Sequence, residues 1–312
     1  MASDVFKKSW PYFAIVLAHT IWGINFVVAK LALQEFPPMS LAFLRFILAI
    51  LFLLPFILTE KKKSKLARED LPKLFAVGIF MVTLNIGLFY TGMQRTTVTS
   101  ASVLTMVIPM LSVLAGWWFL REKIYTVNLI GIVLGLIGAI LVIGVPYFAL
   151  GLQPISNALI GNILIILASA AWVAGAGLSK GLLQKYSTLT VTSMIFLVGI
   201  LSFAVPALTE YLKNPGWVHQ VTYIGLFGLL FSAIASSVSA YFLFEWGLSK
   251  LGIVKADLFQ YLEPLVAITL GVAILGEQMR FTFIIGAILV GLGSYWTTLA
   301  KESHKYHKAH RH

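Results

Sequence analysis

The sequence predicts an all-α integral membrane protein with ten transmembrane helices, arranged as two inverted five-helix repeats. Three observations support this fold class. Of the 312 residues, 59% are hydrophobic and only 11% are charged, whereas about 25% of the residues in a soluble domain are charged. Apolar runs long enough to cross a bilayer recur along the whole chain. The second half of the chain also repeats sequence features of the first half.

Ten segments are apolar over about 20 residues, which is the length that a membrane-spanning helix needs. The first follows Lys7 and Lys8, as in a signal peptide, but it has no small-residue cleavage site and is therefore interpreted as a retained helix. Only the segment after span 2 and the C-terminal tail are strongly polar and basic. The predicted spans cover roughly residues 11–33, 39–59, 72–94, 98–119, 126–147, 158–180, 188–208, 221–248, 254–276 and 280–299.

Basic residues are distributed unevenly between the two sides of the membrane. With a cytoplasmic N-terminus, 18 of the 23 Lys and Arg residues lie on the cytoplasmic side. Because cytoplasmic loops collect Lys and Arg, both termini are predicted to be cytoplasmic. The net charge of +11 is thereby explained by orientation in a membrane, and no nucleic-acid partner is predicted. Arg45 is the exception, because it lies within span 2.

The two halves of the chain align in two registers. The segment "LAHTIWGINFVVAKLALQ" at 17–34 aligns without gaps to "LASAAWVAGAGLSKGLLQ" at 167–184. Further along, the matched pairs are 155 positions apart. They include Pro109 with Pro264 and Glu122 with Glu277. Five helices per repeat is an odd number, so the second copy must cross the membrane in the opposite sense. We predict a first repeat over residues 1–150, an inverted repeat over 151–300 and a basic tail over 301–312.

Four segments carry a resemblance to a known family. They are "IWGINFVVAKLAL" in span 1, "PPMSLAFLRFILA" leading into span 2, "SASVLTMVIPMLSVLAGWWFLREKI" in span 4 and "VKADLFQYLEPLVAITLGVAILGEQM" in span 9. With these segments the chain resembles the drug/metabolite transporter superfamily, in particular its ten-helix EamA-type exporters. The spacing from proline to glutamate is the same in spans 4 and 9, which makes the resemblance specific.

The resemblance implies a basket of helices around a central cavity, walled by helices 1 to 4 and 6 to 9, with helices 5 and 10 outside. It also implies a secondary transporter that exports amino acids or related small metabolites across a prokaryotic cytoplasmic membrane. Inverted repeats are a common plan of such proteins, since two similar halves can open alternately to each side. The partners expected are a small-molecule substrate and membrane lipid, with protons in one interpretation, and no cofactor is expected.

Span 9 places Glu263 next to Pro264 near the bilayer midplane, where an ionised group costs roughly 2.5 kcal/mol or more. This carboxylate either binds substrate or a coupling proton, or it forms a hydrogen bond with a neighbouring helix end. Pro264 and Pro109 lack an N–H and interrupt their helices. Paired breaks in two repeats indicate a binding or gating region, although a kink needed only for packing has the same sequence.

A polar stripe is predicted on span 9, because Asp257, Gln260, Tyr261 and Pro264 follow helical spacing. These residues are candidates for lining the cavity. Asp257 departs from the neutral residue expected in the family. A carboxylate in the first turn of a helix also complements the helix dipole without any role in binding.

Span 1 places His19 and Trp22 on one face, with Asn25 at its border. His19 is either a proton-linked group or a neutral histidine bonded to a backbone carbonyl. The repeat sets Trp22 opposite Trp172, where the two rings would either clamp an aromatic or cationic substrate or pack the helices together.

Arg45 has no basic counterpart in the second repeat. It either holds a substrate carboxylate, or it snorkels outward or pairs permanently with an acid such as Glu263. Asn85 and Tyr90 on span 3 are further lining candidates, and Glu245 occupies the position equivalent to Tyr90. Span 8 adds the hydroxyls of Ser232, Ser236 and Ser239.

Other functions are excluded or disfavoured by what the sequence lacks. There is no cysteine, so disulfides, cysteine nucleophiles and thiolate metal sites are excluded. His19 is the only histidine within a span, and no span carries a paired metal-ligand motif, so neither an enzyme nor a metal site is expected. The remaining alternatives are efflux of organic cations, amines or drugs, and more remotely a channel or lipid scramblase. Glycines in spans 5 and 10 indicate close helix packing, in a monomer or weak dimer.

Overall fold

The computed structural model of the protein describes residues 2–60, 66–120, 124–144, 156–179, 181–251 and 258–309. Glu122 and Asp257 lie outside these residues, and the side chain of Glu245 is not among those described. Within these ranges the chain is helical, and its ten main helices, α1 to α10, take the numbers of the predicted spans.

In the first repeat, α1 is Ala2–Glu35, α2 is Pro38–Thr59, α3 is Leu71–Gly78 continued by Ile79–Leu84 and Asn85–Arg95, α4 is Val98–Thr105 followed by Ile108–Leu120, and α5 is Thr126–Ile143. In the second repeat, α6 is Asn157–Ser179, α7 is Thr188–Lys213, α8 is Tyr223–Leu230 continued by Phe231–Ser239 and Ala240–Leu251, α9 is Leu258–Tyr261 followed by Leu262–Leu275, and α10 is Phe281–Ala309.

The predicted all-α membrane fold is confirmed. Eight helices of the described chain are long and apolar enough to cross a membrane, and shorter apolar helices over Phe259–Leu275 and Phe281–Thr297 complete the ten. Large apolar side chains such as Trp118, Leu201 and Phe281 are exposed on the outer surface, as expected where lipid replaces water.

Several helix ends differ from the prediction. Helix α1 begins at Ala2 instead of near residue 11. Helix α5 ends at Ile143, because Gly144 adopts a left-handed conformation with φ 83°. Helix α7 continues past Pro206 to Lys213 and is therefore longer than predicted. Helix α10 continues to Ala309, into the segment predicted to be a separate tail.

Packing between the repeats is reciprocal. Helix α1 packs against α8 and α9, and correspondingly α6 packs against α3 and α4. The pairs α2–α7, α4–α9 and α5–α10 each join equivalent helices of the two repeats. Because each helix finds its main partner in the other repeat, the interface between the repeats forms the centre of the molecule.

Helices α5 and α10 meet through glycines. A Cβ atom on Gly131 would lie 2.7 Å from the carbonyl oxygen of Gly293, and one on Gly138 would lie 2.6 Å from that of Gly286. Small residues at these positions let the two backbones approach closely. The predicted close packing is confirmed, and it joins two helices of the same chain.

Four of the helices around the centre are irregular, in matching places. A π-helical turn occupies Ile79–Leu84 in α3 and another occupies Phe231–Ser239 in α8. Helix α4 is interrupted between Thr105 and Ile108, just before Pro109, and α9 changes from a 3₁₀ turn to an α-helix at Leu262, just before Pro264. Irregular turns of this kind are frequent at functional sites because they redirect side chains and free backbone groups.

Candidate functional site

The contact between α1 and α9 joins two of the predicted site residues. His19 Nδ1 lies 2.7 Å from Glu263 Oε1. The His19 side chain is buried, and its Nε2 atom has no hydrogen-bond partner among the described residues. The histidine is therefore bonded to a carboxylate, and the alternative of a histidine held by a backbone carbonyl is wrong. A carboxylate and an imidazole at this distance can share a proton, because each has a lone pair that the other's N–H or O–H can reach.

Gly23 makes this contact possible. A Cβ atom at Gly23 would lie 2.8 Å from Val266 Cβ and 2.9 Å from the carbonyl oxygen of Glu263. Only a residue without a side chain therefore lets α1 approach α9 closely enough for His19 to reach its partner.

We expect Gly23→Ala to lower the stability of the protein by about 1–3 kcal/mol, the usual cost of overpacking a tight contact. The measurement is thermal unfolding of the purified protein in detergent. Gly177→Ala on α6 is the matched control, because nothing lies within 4 Å of a Cβ there and alanine favours a helix. Equal melting temperatures for the two variants would contradict this account of the α1–α9 contact.

Aromatic rings surround the His19–Glu263 pair on the side of α8. The Trp22 ring centroid lies 5.4 Å from that of His19, 5.3 Å from Phe244 and 5.7 Å from Tyr241. Trp172 on α6 also contacts Tyr241, at 6.3 Å. The two repeat-related tryptophans thus both contact Tyr241. We call the rings of Trp22, Trp172, Tyr241 and Phe244 the aromatic wall. Aromatic rings favour the binding of flat or cationic groups of a ligand.

The π-helical turn of α8 supplies polar groups to helices of the first repeat. The backbone carbonyl of Ser236 accepts a hydrogen bond from Trp22 Nε1 at 3.1 Å. Ser232 Oγ donates to Asn25 Oδ1 at 2.9 Å. Because a π turn leaves carbonyls without their usual partner four residues on, the oxygen of Ser236 is available to a side chain of another helix.

Arg45 is buried against the same turn, with an exposed fraction of 5%. Its Nε donates to Ser237 Oγ at 2.7 Å, its Nη1 to Tyr90 Oη at 2.8 Å and its Nη2 to Ser236 Oγ at 3.5 Å. The rings of Phe46 and Tyr90 lie 5.6 and 5.9 Å from its Cζ atom. Within the described part of the chain, no carboxylate lies close enough to form an ion pair with it.

Permanent pairing of Arg45 with Glu263 is therefore wrong in this structure, and so is outward snorkelling. The two groups bind other partners instead. Hydroxyls of the serine-rich turn of α8 bind the guanidinium of Arg45, and His19 forms a hydrogen bond with the carboxylate of Glu263. Ser236 contacts both Arg45, through its hydroxyl, and Trp22, through its carbonyl, and the Trp22 ring in turn contacts His19. The site accordingly holds one cationic and one carboxylate-containing region.

The remaining candidates are less central. Asn85 Nδ2 donates to the carbonyl oxygen of Ala168, so it joins α3 to α6. Tyr261 Oη lies 3.3 Å from Ser294 Oγ on α10, and Gln260 is half-buried. Because Leu258–Tyr261 is a 3₁₀ turn, the predicted α-helical stripe from Gln260 to Pro264 is not continuous, since three residues per turn rotate the side chains differently from 3.6.

Three residues of the site were not predicted from the sequence, namely Ser237, Tyr241 and Phe244. Ser237 was not among the serines proposed on span 8, and it lies in the π turn, where its hydroxyl accepts a hydrogen bond from Arg45 Nε. Tyr241 and Phe244 were indistinguishable from lipid-facing aromatic residues. Their contacts with Trp22 and Trp172 follow from the packing of α8 against α1 and α6, which the sequence does not show.

The comparisons with known proteins match this architecture. The model of the EamA-like transporter family matches the chain twice, over residues 9–144 and 159–299. The chain belongs to the EamA-like transporter family. One matched range lies in each half of the chain.

Similar proteins from distant organisms share nearly the full length of this EamA chain. The uncharacterized transporter YetK of Bacillus subtilis is 31% identical, over 95% of this chain and 89% of its own. An uncharacterized transporter of Archaeoglobus fulgidus is 29% identical, over 92% and 98%. A solved crystal structure aligns with a TM-score of 0.60 over 94% of this chain and 97% of its own, at 16% identity, and shows the fold alone. The protein is thus a multi-pass membrane transporter and not an enzyme.

Proposed function

We propose that this EamA transporter exports amino acids or related small metabolites by alternating access through a central site between its two repeats. The observation that carries the proposal is Arg45, a buried guanidinium with three hydroxyl partners and no carboxylate partner among the described residues. A buried charge without a counter-ion is costly. A substrate carboxylate would supply the counter-ion and would gain charge-assisted hydrogen bonds.

The second half of an amino acid fits the rest of the site. An α-ammonium group is a cation, and the carboxylate of Glu263 with the rings of Trp22 and Tyr241 offers it an acid and aromatic faces. Arg45 and Glu263 belong to α2 and α9, one helix from each repeat. A zwitterion that binds both groups therefore contacts both halves of the transporter, as a substrate must if it is to control their relative movement.

Outward transport and location in a prokaryotic cytoplasmic membrane are parts of the same proposal. The excess of Lys and Arg on the side of the termini supports a cytoplasmic position for both ends. Membrane lipid surrounds the apolar exterior, and the transporter works as a monomer or weak dimer.

A second candidate function is proton-coupled efflux of organic cations, amines or drugs. The observation that favours it is the His19–Glu263 pair within an aromatic wall. A carboxylate that binds either a proton or a cationic substrate would exchange one for the other across the membrane.

The test is flux into proteoliposomes, with a mixed panel of amino acids and small amines, with and without an imposed proton gradient. Selective movement of amino acids is expected. Movement of the amines alone, driven by the gradient, would favour the second candidate and contradict the first. Passage of both classes with ions of similar size, at rates that do not saturate, would indicate a channel.

A further inference from the structure

Acidic side chains at the helix ends connect the two repeats at both faces of the molecule. We name the face where α1 begins and α10 ends the terminal face, and the face where α1 ends the opposite face. Glu35, Glu210 and Glu277 make such contacts at the opposite face, and Glu60 and Asp70 make them at the terminal face. None of these residues belongs to the central site.

Helices α2 and α7 make equivalent contacts at the two faces, where an acid at the end of one helix binds the start of the other. At the opposite face, Glu210 near the end of α7 accepts hydrogen bonds from the backbone N–H of Ser40 at 2.7 Å and from its hydroxyl at 2.8 Å, at the start of α2. At the terminal face, Glu60 after the end of α2 accepts from the hydroxyls of Ser187 at 2.5 Å and Thr190 at 3.4 Å, at the start of α7. The two glutamates are 150 positions apart, so each occupies the other's place in the repeat.

A second pair of contacts follows the same symmetry with the charges exchanged. At the opposite face, Glu35 accepts from the backbone N–H and the hydroxyl of Thr222, both at 2.7 Å. At the terminal face, the position 150 residues after Glu35 is occupied by the basic residue Lys185. The acid of this contact is Asp70, just before α3. There Asp70 accepts from Lys185 Nζ at 3.1 Å and from Tyr186 Oη at 2.8 Å.

The third contact joins α9 to α4 at the opposite face. Glu277 accepts from the backbone N–H groups of Val98 at 2.6 Å and Thr99 at 2.8 Å. These are unsatisfied donors of the first helical turn, which carries a partial positive charge. Its counterpart at the terminal face would involve Glu122, which lies outside the described residues.

Contacts at opposite faces must have similar free energies if a transporter is to alternate between two conformations. Four of these five contacts consist of a carboxylate and donors at a helix start, and the fifth joins Asp70 to Lys185 and Tyr186. Each carboxylate can exchange its donors for water when the helix ends separate. Since the inverted repeat places equivalent contacts at both faces, opening either face breaks a similar set of bonds. The equilibrium between the two open conformations then stays close to balance, where a substrate can shift it.

On this basis we infer that the acidic contacts at the two faces are a pair of reciprocal gates, with Glu210 and Glu60 as equivalent closing residues. The inference rests on the alternating access contained in the proposed function. Because the described contacts are made at both faces, this structure corresponds to a conformation closed at both ends. Breaking one gate shifts the protein towards opening at that face and away from opening at the other.

The test uses the absence of native cysteines. Ala207→Cys and Val191→Cys place one reporter each near the opposite and terminal ends of α7, where the parent residues are 7% and 3% exposed. Each reporter is combined with Glu210→Gln or Glu60→Gln, and the rate of reaction with a membrane-impermeant maleimide is measured from each side of oriented membrane vesicles. Glutamine keeps the side-chain length but removes the charge and half of the acceptor capacity. Glu69→Gln is the control, because Glu69 is exposed beside Asp70.

Glu210→Gln is expected to raise the labelling rate of the Ala207→Cys reporter about tenfold and to lower that of Val191→Cys, and Glu60→Gln is expected to do the reverse. The double variant should raise both labelling rates, because the closed conformation then loses the contacts at both faces. If both single variants raise both rates, the contacts merely hold the fold together and the inference is overturned. Unchanged rates in both variants would overturn it as well.

Failure of the gate inference is distinguishable from failure of the proposed substrate. Opposite changes in the two labelling rates, in a protein that moves no amino acid in proteoliposomes, would support the gates and contradict the amino-acid proposal. Amino-acid flux in a protein whose labelling rates ignore both glutamates would do the opposite.

Discussion

Arg45→Gln is expected to lower the transport rate of amino acids at limiting concentration by roughly 30-fold or more. Removing one partner from a buried, hydrogen-bonded charge pair costs about 2–5 kcal/mol, and each 1.4 kcal/mol is a factor of about ten. The measurement is the initial flux of a labelled amino acid in proteoliposomes, over a range of substrate concentrations. Because the loss concerns binding, we expect most of it in KM.

Two further variants separate charge from geometry. Arg45→Lys keeps the charge but lacks the planar fork that reaches Ser237 and Tyr90 together, so an intermediate loss is expected. Arg95→Gln is the matched control, since Arg95 is an exposed arginine at the end of α3. Amines without a carboxylate should move through the Arg45→Gln protein as well as through the parent. Full amino-acid transport in a folded Arg45→Gln protein would show that Arg45 does not bind the substrate carboxylate.

Glu263→Gln is expected to fold and to lose either transport or its dependence on pH. Glutamine matches glutamate in size and still reaches His19 Nδ1, but it cannot ionise, so it neither carries a proton nor neutralises a cation. We expect the stimulation of flux by a proton gradient to fall at least roughly tenfold, as when a general acid or base is removed. The measurement is initial flux against pH on both sides of the membrane.

A companion variant, Glu263→Asp, keeps the carboxylate but draws it away from the imidazole of His19. It should retain pH dependence at a reduced rate, whereas a structural role for Glu263 would affect the aspartate and glutamine variants alike. Transport by Glu263→Gln at the parent rate across the whole pH range would show that the carboxylate is not involved.

Much of the fold could be read from the chain because hydrophobic length and repeat spacing are local properties. Apolar runs of about 20 residues define a span wherever they occur, and the pairing of Pro109 with Pro264 marked the two helix breaks that the structure confirms. The end of α7 was predicted near residue 208, whereas the helix continues to Lys213, so Glu210 was not considered as a helix-end residue.

The side-chain partners of the central site could not be obtained in this way. The sequence analysis selected Arg45, Glu263 and His19 because a polar group within an apolar span is energetically unfavourable. That criterion does not indicate which residues they contact. Their pairing depends on which helix faces which, and on the π turn of α8 that turns Ser236 and Ser237 together towards Arg45. A π turn has no sequence signature comparable to a proline.

The sequence by itself therefore determined the all-α membrane fold, the inverted repeat, the family and the polar residues that must avoid lipid. These depend on composition and on periodicity along one chain. Only the tertiary structure showed that His19 contacts Glu263 and that no carboxylate of the described residues forms an ion pair with Arg45. It also showed that acidic residues at the helix ends bind the other repeat at both faces. Such pairings are set by distances of about 3 Å between residues far apart in the chain, which no spacing along the chain encodes.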